Sequence, residues 1–125
     1  MNRQAAIAAA LLPLCASPVA RAQQNCTPIH FARAQSSAIV RGVAQSMDTP
    51  SSGSCYTLTT RRGQTATIAI VKKSPNDDTA FTIPDVIDNQ DKYTFKTKAK
   101  TYTIGVYRTF AREPDEPFTM RVTVK

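Results

Sequence analysis

The 125-residue chain has no Trp, one His, three Cys and four Gly. A nucleophilic hydrolase needs a base beside its Ser or Cys, and His30 is the only imidazole available for that role. The short length excludes a multidomain enzyme, and no stretch has the roughly 20 apolar residues that a membrane-spanning helix needs. Hydrophobic residues make up 42% and charged residues 20%, a composition typical of one globular domain.

The first 22 residues have the features of a secretory signal. An early positive charge at Arg3 precedes a run rich in Ala and Leu, and residues 20–22 form the small-x-small triplet Ala-Arg-Ala. We therefore expect cleavage after about Ala22 and a single domain over residues 23–125. This signal predicts a periplasmic or secreted protein.

The cysteine count changes when that signal is removed, because Cys15 leaves with it. Leu14 is larger than the small residues that normally precede a lipidated Cys, which argues against a lipoprotein. Cys26 and Cys55 remain as an even pair in an exported chain, so we predict one disulfide. The bond would close a loop of about 30 residues and stabilise the fold by about 3 kcal/mol. With no Cys-x-x-Cys spacing, and with His30 alone unable to complete a zinc site, we expect no metal and no cofactor.

Apolar residues after His30 recur mainly at spacing two, which is the period of a strand with one buried face. Thr is frequent at the alternate positions, where its branched side chain suits a pleated sheet. The strand candidates are residues 38–43, 56–58, 65–71, 79–83, 92–96, 102–106 and 118–125. Turn-forming residues separate them, at residues 48–53, 61–64, 74–78 and 113–117. Seven or eight strands predict an all-β fold, an antiparallel β-sandwich of jelly-roll-like proportions, with an OB-type barrel as the alternative.

Catalytic motifs are absent from the sequence. There is no Gly-x-Ser-x-Gly sequence, P-loop or dinucleotide fingerprint, and the carboxylates fall in turn-like stretches where solvated surface charge is the ordinary explanation. The series Asp85, Asp88 and Asp91 lacks the Gly and the closing Glu of an EF-hand calcium loop. We therefore predict a protein that acts by binding and is not an enzyme.

The balance of charge points to an acidic partner. Residues 23–125 carry fourteen cationic residues and nine carboxylates, a net charge of +5. Export argues against nucleic acid. Four lysines fall at even positions with Tyr93 and Phe95 between them, so one strand would present a basic stripe opposite its aromatics, formed by Lys92, Lys96, Lys98 and Lys100. The stripe is either a solvated face that protects a sheet edge or a docking surface for an anionic wall polymer, lipid head groups or an acidic enzyme cleft.

Residues 107–117 form the most unusual segment of the exported chain. The segment combines a Phe that we expect to be exposed with two Arg and three acids, and two prolines restrict its backbone. Protein interfaces favour Arg and aromatic residues on rigid loops. The segment is therefore either a partner-binding loop or a long hairpin connection with self-compensating charge, and its candidate binding residues are Tyr107, Arg108, Phe110 and Arg112.

Several short motifs resemble bacterial pre-peptidase C-terminal-like β domains. Residues 55–58, Cys-Tyr-Thr-Leu, followed by residues 62–66, Arg-Gly-Gln-Thr-Ala, are similar to a signature of that group. Residues 100–107 and 117–122 are similar to its closing hairpin. Among stand-alone exported proteins, the pattern resembles the periplasmic inhibitors of goose-type lysozyme, a family of small jelly-roll-like sandwiches.

The resemblance to the lysozyme inhibitors implies a protein partner and a set of contact residues. Tyr56 matches the family pattern, and Arg108, Phe110 and Arg112 fall in the segment that would reach into an acidic cleft, where the Arg fork suits carboxylates. The resemblance implies an Arg at the position of Gly105 and a second Arg at the position of Glu113, which this chain lacks.

A second hypothesis comes from a different functional class. The chain would be a carbohydrate-binding or cell-wall-binding module of the pre-peptidase type. Its ligand would contact Tyr93, Tyr107 and the basic stripe.

Overall fold

A computed structural model of the chain describes residues 25–46, 54–110 and 114–125. Within these ranges the fold has nine strands and no helix. The strands are β1 (Thr27–Pro28), β2 (Ser37–Ser46), β3 (Cys55–Thr60), β4 (Thr65–Ile70), β5 (Thr79–Ile83), β6 (Ile87–Gln90), β7 (Lys92–Lys96), β8 (Lys100–Arg108) and β9 (Glu116–Val124). No helix that could cross a membrane is found in these three ranges. The signal at residues 1–22, the turn at residues 48–53, Arg112 and Glu113 lie outside the described residues.

The predicted all-β class and the predicted disulfide are confirmed. Cys26 and Cys55 are bonded, with their Cα atoms 4.6 Å apart, so the segment before β1 is fixed to the start of β3. The prediction of seven or eight strands misses β1 and β6. β1 has only two residues, and three of the four residues of β6 are polar, so neither shows a period of two.

The strand pairing is mixed rather than purely antiparallel. β1 pairs with β3 in parallel, and the last two residues of β2 pair with β8 in parallel, whereas the other ladders are antiparallel. We call β1, β3, β8, β5 and β6 the β8 sheet, and β2, β9, β4 and β7 the β9 sheet. The end of β2 joins the two into one continuous nine-stranded arrangement.

One hydrophobic core is shared by both sheets. Its largest members with no more than 2% exposure are contributed by both, Leu58, Phe81, Ile83 and Ile104 from the β8 sheet and Ile68, Met120 and Val122 from the β9 sheet. Each such side chain contributes about 1.5–3 kcal/mol through burial of apolar surface. The period of two that predicts the strands therefore also identifies which residues lie inside.

The Gly-Gln pair of the sequence motif stabilises the turn between β3 and β4. Gly63 has a positive φ of 83°, which glycine adopts without strain, and its N–H donates to the carbonyl of Thr97 at 2.9 Å. The side-chain oxygen of Gln64 accepts the N–H of Arg61 at 2.7 Å. The buried Thr97 hydroxyl donates to the carbonyl of Arg61 at 2.6 Å. This part of the motif therefore specifies a turn and is far in the sequence from the candidate binding segment.

Candidate functional site

Arg108 is the last residue of β8, and its side chain points into the protein with only 7% of its surface exposed. Its Nε and Nη2 atoms lie 2.7 Å from Oδ1 of Asp78. Its Nη1 atom donates to Oε1 of Glu116 at 2.9 Å and to the carbonyl of Pro114 at 3.0 Å. Such charge-assisted hydrogen bonds are the stronger kind, and two of them here share one carboxylate. Arg108 therefore connects the start of β5, the end of β8 and the start of β9.

This geometry changes the role expected for Arg108. The sequence predicts that the Arg108 side chain extends from the segment at residues 107–117 towards an acidic partner. In the structure, its guanidinium instead binds acceptors within the chain. Alternation explains the difference, because Ile104 and Val106 face the core and Arg108 continues the same face. Arg108 therefore binds groups within the protein and does not extend towards a partner.

Phe110 follows two residues later and has 63% of its surface exposed. We call residues 109–115, which connect β8 to β9, the Phe110 loop. The N–H of Phe110 donates to Oδ2 of Asp78 at 3.3 Å, and the hydroxyl of Ser46 donates to its carbonyl at 3.4 Å. Thr109 donates its N–H and its hydroxyl to the backbone carbonyl of Asp78, at 3.2 and 2.8 Å. The exposed Phe110 ring is therefore attached to a backbone that hydrogen bonds already fix. Because this backbone need not become ordered on binding, the entropy cost of binding is lower.

Hydrogen bonds to the neighbouring residue, Asp77, stabilise the segment that contains Asp78. The carboxylate of Asp77 accepts the N–H of Lys73 and the N–H of Thr79, each at 3.1 Å. Burial alone would raise the pKa of Asp77, but these hydrogen bonds and the charge of Lys72 outweigh burial and lower it below 3.8. Lys73 also pairs with Glu116 at 3.3 Å. Asp77 therefore stabilises the backbone next to Asp78, and Glu116 has a second cationic partner besides Arg108.

Tyr56 lies on β3 and packs between the two sheets. Its ring meets the ring of Phe118 edge-on, with centroids 6.2 Å apart. Its hydroxyl group lies over Gly42 of β2, where a Cβ atom would overlap the hydroxyl oxygen and lie 3.0 Å from the Phe118 ring. Burial raises the pKa of Tyr56. The match of Tyr56 to the inhibitor pattern therefore has a packing role, which requires a glycine opposite it.

Tyr107 points away from Arg108, because neighbouring residues of a strand face opposite sides. Its hydroxyl group hydrogen-bonds to the hydroxyl of Thr82 at 2.9 Å and donates to Oδ1 of Asn89 at 3.0 Å. Burial raises the pKa of Tyr107. The residue joins β8 to β5 and β6 on the outer face of the β8 sheet and does not share a surface with the Arg108 side chain.

A cavity of about 250 Å³ lies beside Tyr107 on that outer face. It is open because Gly105 has no side chain, and a Cβ added there would meet no atom within 4 Å. The other residues that line it are Ser54, Cys55, Thr82, Pro84, Thr103 and Val106. The position where the family resemblance implies an Arg is therefore an empty depression in this chain.

The four lysines of the predicted stripe lie on two strands and the segment between them, not on one strand. Lys92 and Lys96 are exposed on β7, and the strand ends there. The buried Thr97 follows β7, and β8, which belongs to the other sheet, begins at Lys100. The Nζ atom of Lys100 lies 4.9 Å from the centroid of the Tyr102 ring. Lys98 lies exposed in the intervening turn.

The aromatics of the carbohydrate-binding hypothesis are also separated. Tyr93 stacks on Phe95 with centroids 6.1 Å apart on the β9 sheet, whereas Tyr107 lies on the β8 sheet. The structure therefore does not bring Tyr93, Tyr107 and the lysines to one site. His30 is exposed just after β1. In residues 25–46, 54–110 and 114–125, no group of three His, Cys, Asp or Glu could hold a metal ion.

Sequence reasoning missed three residues that shape the site, namely Asp78, Ser46 and Gly42. Asp78 lies in a turn-like stretch of sequence, where a solvated surface charge is the ordinary interpretation. In the structure, its carboxylate accepts hydrogen bonds from Arg108 and from the N–H of Phe110. The available signal was the position of Arg108 on the buried side of its strand, because an inward Arg requires an internal carboxylate.

Comparison with known proteins identifies a shared fold. No protein-family model matches the chain, and a comparison with curated proteins finds no match, so the pre-peptidase resemblance gains no support. Among solved structures, the chain is similar to the periplasmic inhibitor of g-type lysozyme from Aeromonas hydrophila, with a TM-score of 0.63 and 24% identity over 82% of this chain and 98% of that one.

Two further inhibitor structures give the same result. The Salmonella Typhimurium inhibitor of g-type lysozyme has a TM-score of 0.58 and 20% identity, and a mutant of the Escherichia coli inhibitor has a TM-score of 0.59 and 18% identity. Both are covered over 100% of their length by 82% of this chain. The likeness in fold therefore extends over the whole of both inhibitor structures.

Proposed function

We propose that this protein is a non-catalytic, exported inhibitor of a wall-lytic enzyme, with goose-type lysozyme as its target. The observation that carries the proposal is the likeness in fold to three periplasmic inhibitors of g-type lysozyme, which extends over 82% of this chain and nearly all of each inhibitor. The predicted signal and the Cys26–Cys55 disulfide support a periplasmic or secreted location.

The Phe110 loop supplies the contact surface in this proposal. Phe110 is the exposed aromatic anchor, and its backbone is held by Asp78 and Ser46. Arg112, two residues further along the chain, takes the direct contact with the carboxylates that a glycosidase carries in its cleft. Arg108 acts as a positioning residue, because its guanidinium is occupied within the protein.

Inhibition of lysozymes tests the proposal directly. Residues 23–125 are purified with the disulfide formed and titrated against a goose-type and a chicken-type lysozyme, with residual wall-lysing activity as the readout. We expect inhibition of the goose-type enzyme and none of the chicken-type enzyme. Absence of inhibition of every lysozyme tested would overturn the proposal.

Two variants with a matched control locate the contact. Phe110→Ala and Arg112→Glu are each expected to weaken inhibition at least tenfold, because aromatic and Arg anchors dominate binding at interfaces. Arg62→Glu makes the same charge reversal in the exposed turn between β3 and β4 and is expected to leave inhibition unchanged. Equal losses for Arg112→Glu and Arg62→Glu would show that net charge, not the Phe110 loop, determines binding.

A further inference from the structure

The outer face of the β9 sheet is built from four adjacent strands in continuous register. Ile39 on β2 lies opposite Arg121 on β9, Arg121 lies opposite Ala69 on β4, and Ala69 lies opposite Lys92 on β7. Since neighbouring strands are about 4.8 Å apart, this row crosses a surface about 15 Å wide. Phe110 follows β8 and belongs to none of these four strands.

Four cations lie on this face, namely Arg41, Arg121, Lys92 and Lys96, and all four are exposed. None of them forms an ion pair with any residue in the described part of the chain. By alternation, the other outward residues of these strands are Ser37, Ile39, Val43, Gln45, Thr65, Thr67, Ala69, Thr94, Pro117, Thr119 and Thr123, so the described strands place no carboxylate on this face. Among the described residues, the strands of this face therefore carry four outward cations and no outward carboxylate.

Exposed aliphatic side chains lie between these cations. Ile39, Val43 and Val71 are 45%, 48% and 44% exposed, and among the described residues only Phe110 is a further exposed large hydrophobic residue. Val71 continues β4, because its N–H donates to the carbonyl of Thr119 at 2.8 Å. Three of the four exposed large hydrophobic residues in the described part of the chain therefore lie on the same face as these four cations.

We propose that the outer face of the β9 sheet docks on an anionic lipid surface. A soluble polyanion would use the cations alone and leave the aliphatic side chains in water. A bilayer surface offers negative head groups and, directly beneath them, an apolar region. The long stems of Arg and Lys can lie along the aliphatic side chains while their charged ends contact lipid phosphates.

Binding to vesicles tests this proposal independently of lysozyme inhibition. The oxidised protein is mixed with vesicles of phosphatidylcholine alone or of phosphatidylcholine with phosphatidylglycerol, and the bound fraction is measured by co-flotation. We expect binding only to the vesicles with phosphatidylglycerol. We also expect it to be lost between about 0.05 M and about 0.5 M salt, because the screening length falls about threefold. Equal binding to both vesicle types, or none to either, would overturn the proposal.

Paired variants test the two components of the face. The double variant Arg41→Gln with Arg121→Gln is expected to bind the anionic vesicles roughly 25-fold more weakly, because each cation near an anionic surface contributes about fivefold to binding. Ile39→Ser with Val43→Ser is expected to weaken it by at least tenfold, because two aliphatic side chains no longer leave water. The control, Arg62→Gln with Lys98→Gln, removes two exposed turn cations outside this face and is expected to retain most of the binding.

A soluble anionic polymer separates the lipid proposal from the alternative. Two results together would show that the face is a site for a soluble polyanion and that the proposal is wrong. Polyglutamate would displace the protein completely from the vesicles, and the variant Ile39→Ser with Val43→Ser would bind vesicles as tightly as the unmodified protein. If the control variant loses as much binding as Arg41→Gln with Arg121→Gln, net charge explains the attraction and the face has no special role. All these positions are exposed, so a thermal melt can verify that each variant is folded.

Discussion

Arginines occur in two opposite environments in this protein. Arg108, at the base of the Phe110 loop, is 7% exposed and its guanidinium contacts two carboxylates and a carbonyl. Arg41 and Arg121, on the outer face of the β9 sheet, are exposed and have no ion-pair partner in the described residues. The charge of Arg108 is therefore used within the protein, whereas the charges of Arg41 and Arg121 are available to a binding partner.

The difference shows that residue type alone does not identify a contact residue. Within a strand, alternate positions face opposite sides, so the position of an Arg decides whether its charge is used inside or outside. Arg108 shares the buried side of β8 with Val106, whereas Arg121 alternates with Met120 and Val122 and points outward. Removal of the two kinds of Arg should therefore have different consequences.

The largest expected effect is the loss of stability in Arg108→Gln. This variant leaves Asp78 nearly buried without its cation, which costs about 3–5 kcal/mol, and chemical denaturation measures the change in the free energy of unfolding. The control Arg62→Gln alters an exposed turn residue and should stay within about 0.5 kcal/mol of the unmodified protein. A loss of less than about 1 kcal/mol for Arg108→Gln would mean that the pair behaves as a surface salt bridge.

A smaller effect is expected from substitution of the glycines on β2 and β8, two of the three strands that carry these arginines. Gly42→Ala places a Cβ against the Tyr56 hydroxyl and 3.0 Å from Phe118, so we expect a loss of about 1–3 kcal/mol and displacement of the Tyr56 ring. Gly105→Ala is the matched control, because its Cβ has open space, and we expect no loss of stability. Denaturation midpoints of the two variants provide the test, and equal midpoints would contradict the packing described for Tyr56.

A further effect is expected at alkaline pH. Burial raises the pKa values of Tyr56 and Tyr107 above 10.0, so the unfolded chain loses these protons at a lower pH than the folded protein does. The stabilisation is fully present below pH 10 and is lost as the pH rises through the folded pKa values. Tyr56→Phe with Tyr107→Phe should flatten the decline in the free energy of unfolding above pH 10, whereas an unchanged decline would contradict this assignment.

The smallest effect on stability is expected for the exposed arginines. Arg41→Gln with Arg121→Gln should change the free energy of unfolding by no more than about 0.5 kcal/mol, because neither side chain has an ion-pair partner in the described residues. The same denaturation series that includes Arg108→Gln measures it. A loss close to that of Arg108→Gln would remove the distinction between the two environments.

Much of the fold follows from sequence because its signals are local. Alternation of Phe118, Met120 and Val122 with polar residues predicts β9 and its buried face, and an even pair of cysteines predicts the disulfide. β1 and β6 could not be predicted in this way, because two or four residues are too short to display a period. The parallel pairing of β2 with β8 depends on contacts between distant segments and leaves no local signal.

The candidate site was predictable only in part. Phe110 could be identified as an exposed aromatic because it lies between the strands predicted at residues 102–106 and 118–125, and its surface is 63% exposed. The burial of Arg108 depends on Asp78, thirty residues earlier in the chain, and no spacing rule connects the two. The four cations on the outer face of the β9 sheet likewise come from three strands, and among them only Lys92 and Lys96 are close in the sequence.

The most direct test of the proposed function is a calorimetric titration of goose-type lysozyme into the oxidised protein and, in parallel, into Phe110→Ala. We predict a one-to-one complex with a Kd below about 1 μM, weakened at least tenfold, or by about 1.4 kcal/mol, in Phe110→Ala. The absence of binding, or binding that is equally tight in Phe110→Ala, would contradict the account of the Phe110 loop as the inhibitory contact.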